Sequence, residues 1–381
     1  QYMDTMNGPP DFLEEPVSPI TGTKFENAKA VLEQLYSDDV KDSNIVKGLL
    51  LVAEKTADKD AARKYSEKLL SLENTIDNHL YQVQAFLRLG LVKEAEHKLQ
   101  SFSEKYPDEQ RTMLFEAWLA MKKGQLRKAL NLTNRYLEAD QNNAMPWRLR
   151  GEINYLLAKY EQAISDLKMS RLLADEPSTR VILAKAYRRA SREDEAITEL
   201  KSTIDHPQAP MEARLLLELI YTQLRRKADL IKFYDDTIAK FPDSGFWYNR
   251  AGAFAVAQNK LDLAEQLYRL GWQKSVQAND KRAAEEAFGR YLHVLLLAGK
   301  LDKVFEEAGK YVDGDFASVA YLGMAEAKLK MNDKQIAAQY CQKALDKAAQ
   351  NEILEVRVLQ KMYSLLGEKE VLTYCKERPV S

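Results

Sequence analysis

From Phe25 onward, apolar residues recur at helical spacing and the residues that interrupt them fall at regular intervals. The stretch 144–177 displays the unit. Pro146-Trp147 opens a first helix that runs through Gly151 and Tyr155; a break near Lys159 leads into a second helix, Glu161 to Leu167 and beyond, which ends near Ala174-Asp175-Glu176-Pro177. At the turn between paired helices, Gly90, Gly124, Asn259, Gly299 and Asn332 align, residue types that tolerate the left-handed conformation that stops a helix. Between one pair and the next stand Pro107, Pro146, Pro177, Pro207 and Pro242, suited to a turn or a first helical residue.

A small or aliphatic residue marks one position of each unit: Ala28, Ala61, Ala95, Ala129, Ala163, Ala196, Leu230, Ala264, Val304, Ala337 and Val371. The intervals are 33, 34, 34, 34, 33, 34, 34, 40, 33 and 34 residues, the signature of an array of supersecondary units. A large side chain at that position would force the two helices of a pair apart. The 40-residue interval implies an expanded unit near 264–304, most simply through longer helices, since Lys281-Arg-Ala-Ala-Glu-Glu-Ala-Phe is rich in helix formers.

These residues resemble the tetratricopeptide repeat family, whose units run about 34 residues with the pattern W-x2-L-G-x2-Y, A-x3-F-x2-A and P. Trp147, Gly151, Ala163 and Leu167 match in one unit; Leu183, Ala184, Tyr187, Ala196 and Leu200 in the next; Leu217, Tyr221, Tyr234 and Pro242 in a third. Gly252, Ala264 and Tyr268 continue the series, as do Ala337, Cys341 and Ala344, and earlier Ala95, Leu99, Phe102 and Pro107. The resemblance implies an all-α, right-handed superhelical solenoid of about ten helix pairs over residues 23–378. It also implies a non-enzymatic scaffold that holds a peptide or protein partner in a groove lined by the first helices.

Composition refines this picture in three places. Residues 1–22 hold Pro9, Pro10, Pro16 and Pro19 among acidic and polar neighbours, so they read as a flexible acidic arm able to compete for the groove. Net charge is −1 overall, but residues 111–190 hold fifteen Lys and Arg against eight acidic residues, consistent either with solvated helix faces or with a surface for an acidic partner. Cys341 and Cys375, the two cysteines, occupy the same position of consecutive units and read as buried thiols.

Candidate chemistry is sparse. His79, His97, His206 and His293 are dispersed, no phosphate loop or nucleophile elbow occurs, and adjacent acidic residues such as Asp235-Asp236 point to different sides of a helix. No enzyme activity, cofactor or metal is therefore expected, and no apolar run approaches the length of a membrane span. No signal peptide is visible in a chain that begins at Gln1, and compartment is left open.

Mapping the family's groove positions onto this chain gives Trp118, Met121, Arg148, Glu152, Tyr155, Lys185, Arg188, Arg189, Phe246 and Asn249 as candidate partner contacts. Aromatic and Arg residues are enriched at binding hot spots. The family's carboxylate clamp is not supported, because Arg148 with Glu152 and Val181 with Lys185 stand at the clamp positions. An assembly or export factor outside the cytoplasm is an alternative. Single-stranded nucleic acid is a weaker one, given a sequence pI of about 6.6.

Overall fold

The computed structural model describes residues 29–36, 41–348 and 352–367; twenty helices and no strand occur among them. The acidic arm, Ala28, Val371 and Cys375 lie outside the described residues. A short helix α1 spans 29–35. Complete pairs follow: α2 (Ser43–Lys55) with α3 (Lys59–Leu72), α4 (Ile76–Arg88) with α5 (Val92–Lys105), and α6 (Arg111–Lys122) with α7 (Leu126–Ala139). Next come α8 (Ala144–Leu156) with α9 (Tyr160–Leu173), α10 (Pro177–Arg189) with α11 (Glu193–Ile204), and α12 (Met211–Gln223) with α13 (Lys227–Lys240). The series ends with α14 (Gly245–Ala257) and α15 (Leu261–Gln277), α16 (Lys281–Leu297) and α17 (Leu301–Gly309), α18 (Ala317–Lys330) and α19 (Lys334–Ala348), and then α20 (Glu352–Leu366).

The turn inside each pair is set by one residue with positive φ. Gly90, Gly124, Asn259, Gly299 and Asn332 adopt φ of 70, 74, 56, 71 and 60°. The same conformation falls on Ala57, Ala158, Ser191 and Arg225, at φ of 55 to 57°, in units where the sequence supplies no Gly or Asn. Backbone hydrogen bonds explain the conformation. Gly124 N–H donates to the Met121 carbonyl at 2.9 Å and Gln125 N–H to the Ala120 carbonyl at 2.8 Å. Ala158 N–H and Lys159 N–H repeat this to Tyr155 and Asn154 at 2.9 and 2.8 Å. This is the Schellman closure, which pairs the last helical carbonyls and reverses the chain.

The small-residue position lies five residues after each left-handed one. Ala95, Ala129, Ala163, Ala196, Ala264, Val304 and Ala337 are fully buried there and Leu230 nearly so. One assignment shifts: the buried residue of α3 is Ala62, with Ala61 only half-buried, because the helix is counted from Ala57 and its inward face falls one residue later. The crossing of α8 and α9 shows why the position stays small. A Cβ on Gly151 would lie 2.6 Å from Leu167 Cγ and 3.3 Å from the Ala163 carbonyl oxygen.

The expanded unit does use longer helices: α15 and α16 each run 17 residues, joined by a left-handed Asn279 at φ 55°. The following helix, α17, is cut to 9 residues. In the place of its missing turns, Tyr311 and Phe316 pack on Trp272, with ring centroids at 5.0 and 6.0 Å, while Phe288 lies 4.5 Å from Trp272.

The chain divides into two compact units, Gln1–Leu230 and Ile231–Ser381. Within the first, successive first helices also pack on one another from α2 to α10: α2 on α4, α4 on α6, α6 on α8 and α8 on α10. Within the second, α14 packs on α16, α16 on α18 and α18 on α20. Each unit therefore presents a face made of first helices alone. No helix among the described residues is long and apolar enough to cross a membrane.

Candidate functional site

Counting back from the left-handed residue places side chains on the first-helix face. Six residues before it stand Gln84, Trp118, Glu152 and Lys185 in the first unit, and His293 and Glu326 in the second. Three before stand Met121, Tyr155 and Arg188; two before stand Arg88, Lys122, Leu156 and Arg189. The ten residues expected from sequence all occupy such rows or the start of the same helices, yet their environments differ.

Three of the ten are claimed by packing. Met121 is buried in the cluster that joins α6, α7 and α8. Tyr155 is 9 % exposed, with its ring edge-on to Tyr160 at 5.7 Å. Asn249 turns toward α15: a Cβ on Gly271 would come within 2.2 Å of its Oδ1, and that oxygen is buried without a hydrogen-bond partner. These positions sit where the next helix closes over the first, so their side chains fill the seam instead of facing outward. Trp118 is half-buried, its ring stacked on Phe115 at 6.3 Å. Phe246 is likewise half-buried, edge-on to Trp247 at 5.1 Å with the Arg250 guanidinium 5.4 Å from its ring.

Most of the charges are matched. Arg148 Nε donates to Glu152 Oε1 at 2.9 Å and its Nη1 reaches Glu176 at 3.1 Å and Ser178 at 2.9 Å. Lys185 pairs with Glu212. Arg189 donates to the Tyr160 hydroxyl at 3.2 Å and lies 5.6 Å from its ring. Two further arginines of residues 111–190 are matched in the same way: Arg150 forks onto Asp166 at 2.6 and 3.0 Å, and Arg180 onto Asp175 at 2.6 Å.

Two cations of the first-helix face stand apart. Arg188 is half-buried and makes no ion pair among the described residues. Lys122, in the last turn of α6, is half-buried and likewise unpaired. Burial pushes its ammonium down to about 8, the charge of Glu152 only partly opposing this. On α8, burial raises the Tyr155 hydroxyl while the charges of Arg189 and Arg188 pull it back. Sequence reasoning missed Lys122; its signal is the row it shares with Arg88 and Arg189.

In the second unit, α16, α18 and α20 line an open groove of about 590 Å³ with Leu296, Val319, Leu322 and Val358 along it. Glu326 stands at its edge, accepting from Lys361 Nζ at 2.7 Å and facing His293 Nδ1 at 3.3 Å. Burial works to raise the Glu326 carboxyl, but these two partners outweigh it and hold it below the usual range. Cys341 is a buried free thiol pushed up to about 11 by burial, as expected for a packing residue. No cluster of three or more His, Cys, Asp or Glu able to hold a metal occurs among the described residues.

No protein-family model matches the chain, and no curated protein does. Solved structures do resemble it. A tetratricopeptide-repeat protein of Thermus thermophilus is 20 % identical, over 52 % of this chain and 99 % of its own, with a TM-score of 0.40. The anaphase-promoting-complex hetero-tetramer Cut9–Hcn1 is 13 % identical over 93 % of this chain and 78 % of that one, at TM-score 0.36. A human IFIT1 dimer with m7Gppp-AAAA is 14 % identical over 95 % of both chains, at 0.35. By its own left-handed turns and small-residue register, the chain is an all-α array of tetratricopeptide-like helix pairs.

Proposed function

We propose that the chain is a non-enzymatic scaffold that holds a protein partner on the first-helix face of its first unit, across α6, α8 and α10. The observation that carries this reading is what neighbouring pairs leave over on that face. Trp118 offers an aromatic surface, Arg188 and Lys122 offer cations without carboxylates, and Arg148 with Glu152 forms a fixed polar rim. An anchor of that kind surrounded by ordered polar groups is the usual make-up of a hot spot. A scaffold reading also fits the architecture, in which every helix pair repeats one packing scheme and differs in what it displays.

The test is photo-crosslinking in extract with a benzophenone side chain placed at Trp118 or Glu152 on the first-helix face, and at Gln100 on α5. Capture of one protein from the first two positions and not from the third is expected. Crosslinks confined to Gln100, or to nucleic acid, would refute the reading.

A further inference from the structure

We propose that Lys122 on α6 and Arg188 on α10, the first helices that pack on α8 from either side, form an anion site that takes carboxylate side chains from an acidic segment of a protein partner. This rests on the scaffold reading and names the chemistry of its ligand. Three successive first helices of one compact unit supply the site, with α6 packed on α8 and α8 on α10. The acid whose charge bears on Lys122 is Glu152, and its carboxylate is already gripped by Arg148 at 2.9 Å. Arg189 is committed to Tyr160. Two cations are thus left on the face with no carboxylate in contact, and one of them is half-buried at a cost that the charge of Glu152 only partly offsets. A carboxylate arriving from outside would supply the missing charge in a place partly shielded from water, where such a pair is stronger than at the surface.

The layout favours a peptide over nucleic acid. Affinity for a phosphate backbone accumulates over many contacts along a basic track. On the first helices Arg111, Arg150 and Arg180 are each held by carboxylates, so the positive charge left over on that face is local and suits one or two acidic side chains.

The experiment is fluorescence anisotropy of the full chain with a labelled oligoglutamate peptide at low ionic strength. Lys122→Met and Arg188→Gln should each weaken binding about tenfold, while Lys128→Gln, exposed on second helix α7, changes it less than about twofold. Thermal unfolding of each variant confirms that it is folded, and Lys122→Arg should restore binding. Unchanged affinity in both variants overturns the proposal, as does a single-stranded oligonucleotide of equal charge that binds more tightly and is lost by the same substitutions. Crosslinking from Trp118 that succeeds while these variants bind normally removes the anion site and leaves the scaffold standing; crosslinking confined to the second helices removes both.

Discussion

At the scale of single residues, the turn positions and Lys122 carry the most tension. Ala158 adopts φ 57° with a Cβ that crowds its own backbone, whereas Gly124 reaches φ 74° without that crowding. Ala158→Gly should therefore stabilise the chain by about 0.5–1 kcal/mol, and Gly124→Ala should destabilise it by about 1 kcal/mol. Opposite signs in urea denaturation confirm the shared conformation; equal signs would contradict it. For Lys122, burial favours the neutral amine, so the cost of holding the proton is present in full below about pH 8. Stability then recovers as pH rises from there toward the 10.5 of an unburied lysine. Lys122→Met should accordingly stabilise the protein by roughly 1–2 kcal/mol at neutral pH, an advantage that narrows above about pH 9. An advantage that is constant with pH would show the amine to be well solvated.

At the scale of helices, the pair is held by close crossing and by what lies five residues beyond the turn. Ala163 and Ala196 are fully buried there, and the Gly151 crossing leaves no space for another carbon. Ala163→Phe or Ala196→Phe should lower the unfolding midpoint, at a cost of about 1–3 kcal/mol or more. Thermal unfolding at the native temperature in both variants would sink the register. This register was legible in the sequence because a helix pair is a local object: the left-handed stop, the small residue and the inter-pair proline lie within one period. It was legible only in part, however. Ala57, Ala158, Ser191 and Arg225 carry no compositional mark of a turn and are held in it by the hydrogen bonds around them. Spacing alone cannot tell the adjacent Ala61 and Ala62 apart, and only burial selects Ala62.

At the scale of the whole molecule, a linear array couples mainly neighbours, so damage should stay local. Trp272 is the test in the second unit, since it gathers Phe288, Tyr311 and Phe316 around itself. Trp272→Ala should cost about 3–5 kcal/mol. Amide hydrogen exchange should rise in α15 through α18 and remain unchanged in α4 through α8. A uniform rise across the chain would mean that the array unfolds as one cooperative body. The same locality explains the candidate surface: from α2 to α10 successive first helices meet, and a side chain is exposed or consumed according to its immediate neighbour.

The sequence by itself determined the repeating unit, the turns marked by Gly or Asn, the expanded interval and the rows of residues along the first helices, because those follow from backbone sterics and from a period written in consecutive residues. Only the tertiary structure decided which members of each row remain for a partner. Met121, Tyr155 and Asn249 look like surface residues in register, but the adjoining helix closes over them. Arg148 and Lys185 find carboxylates on neighbouring helices, while Lys122 and Arg188 do not. Spacing sets the direction of a side chain along its helix; whether a counter-charge or a ring fills the space it reaches depends on atoms a full repeat away.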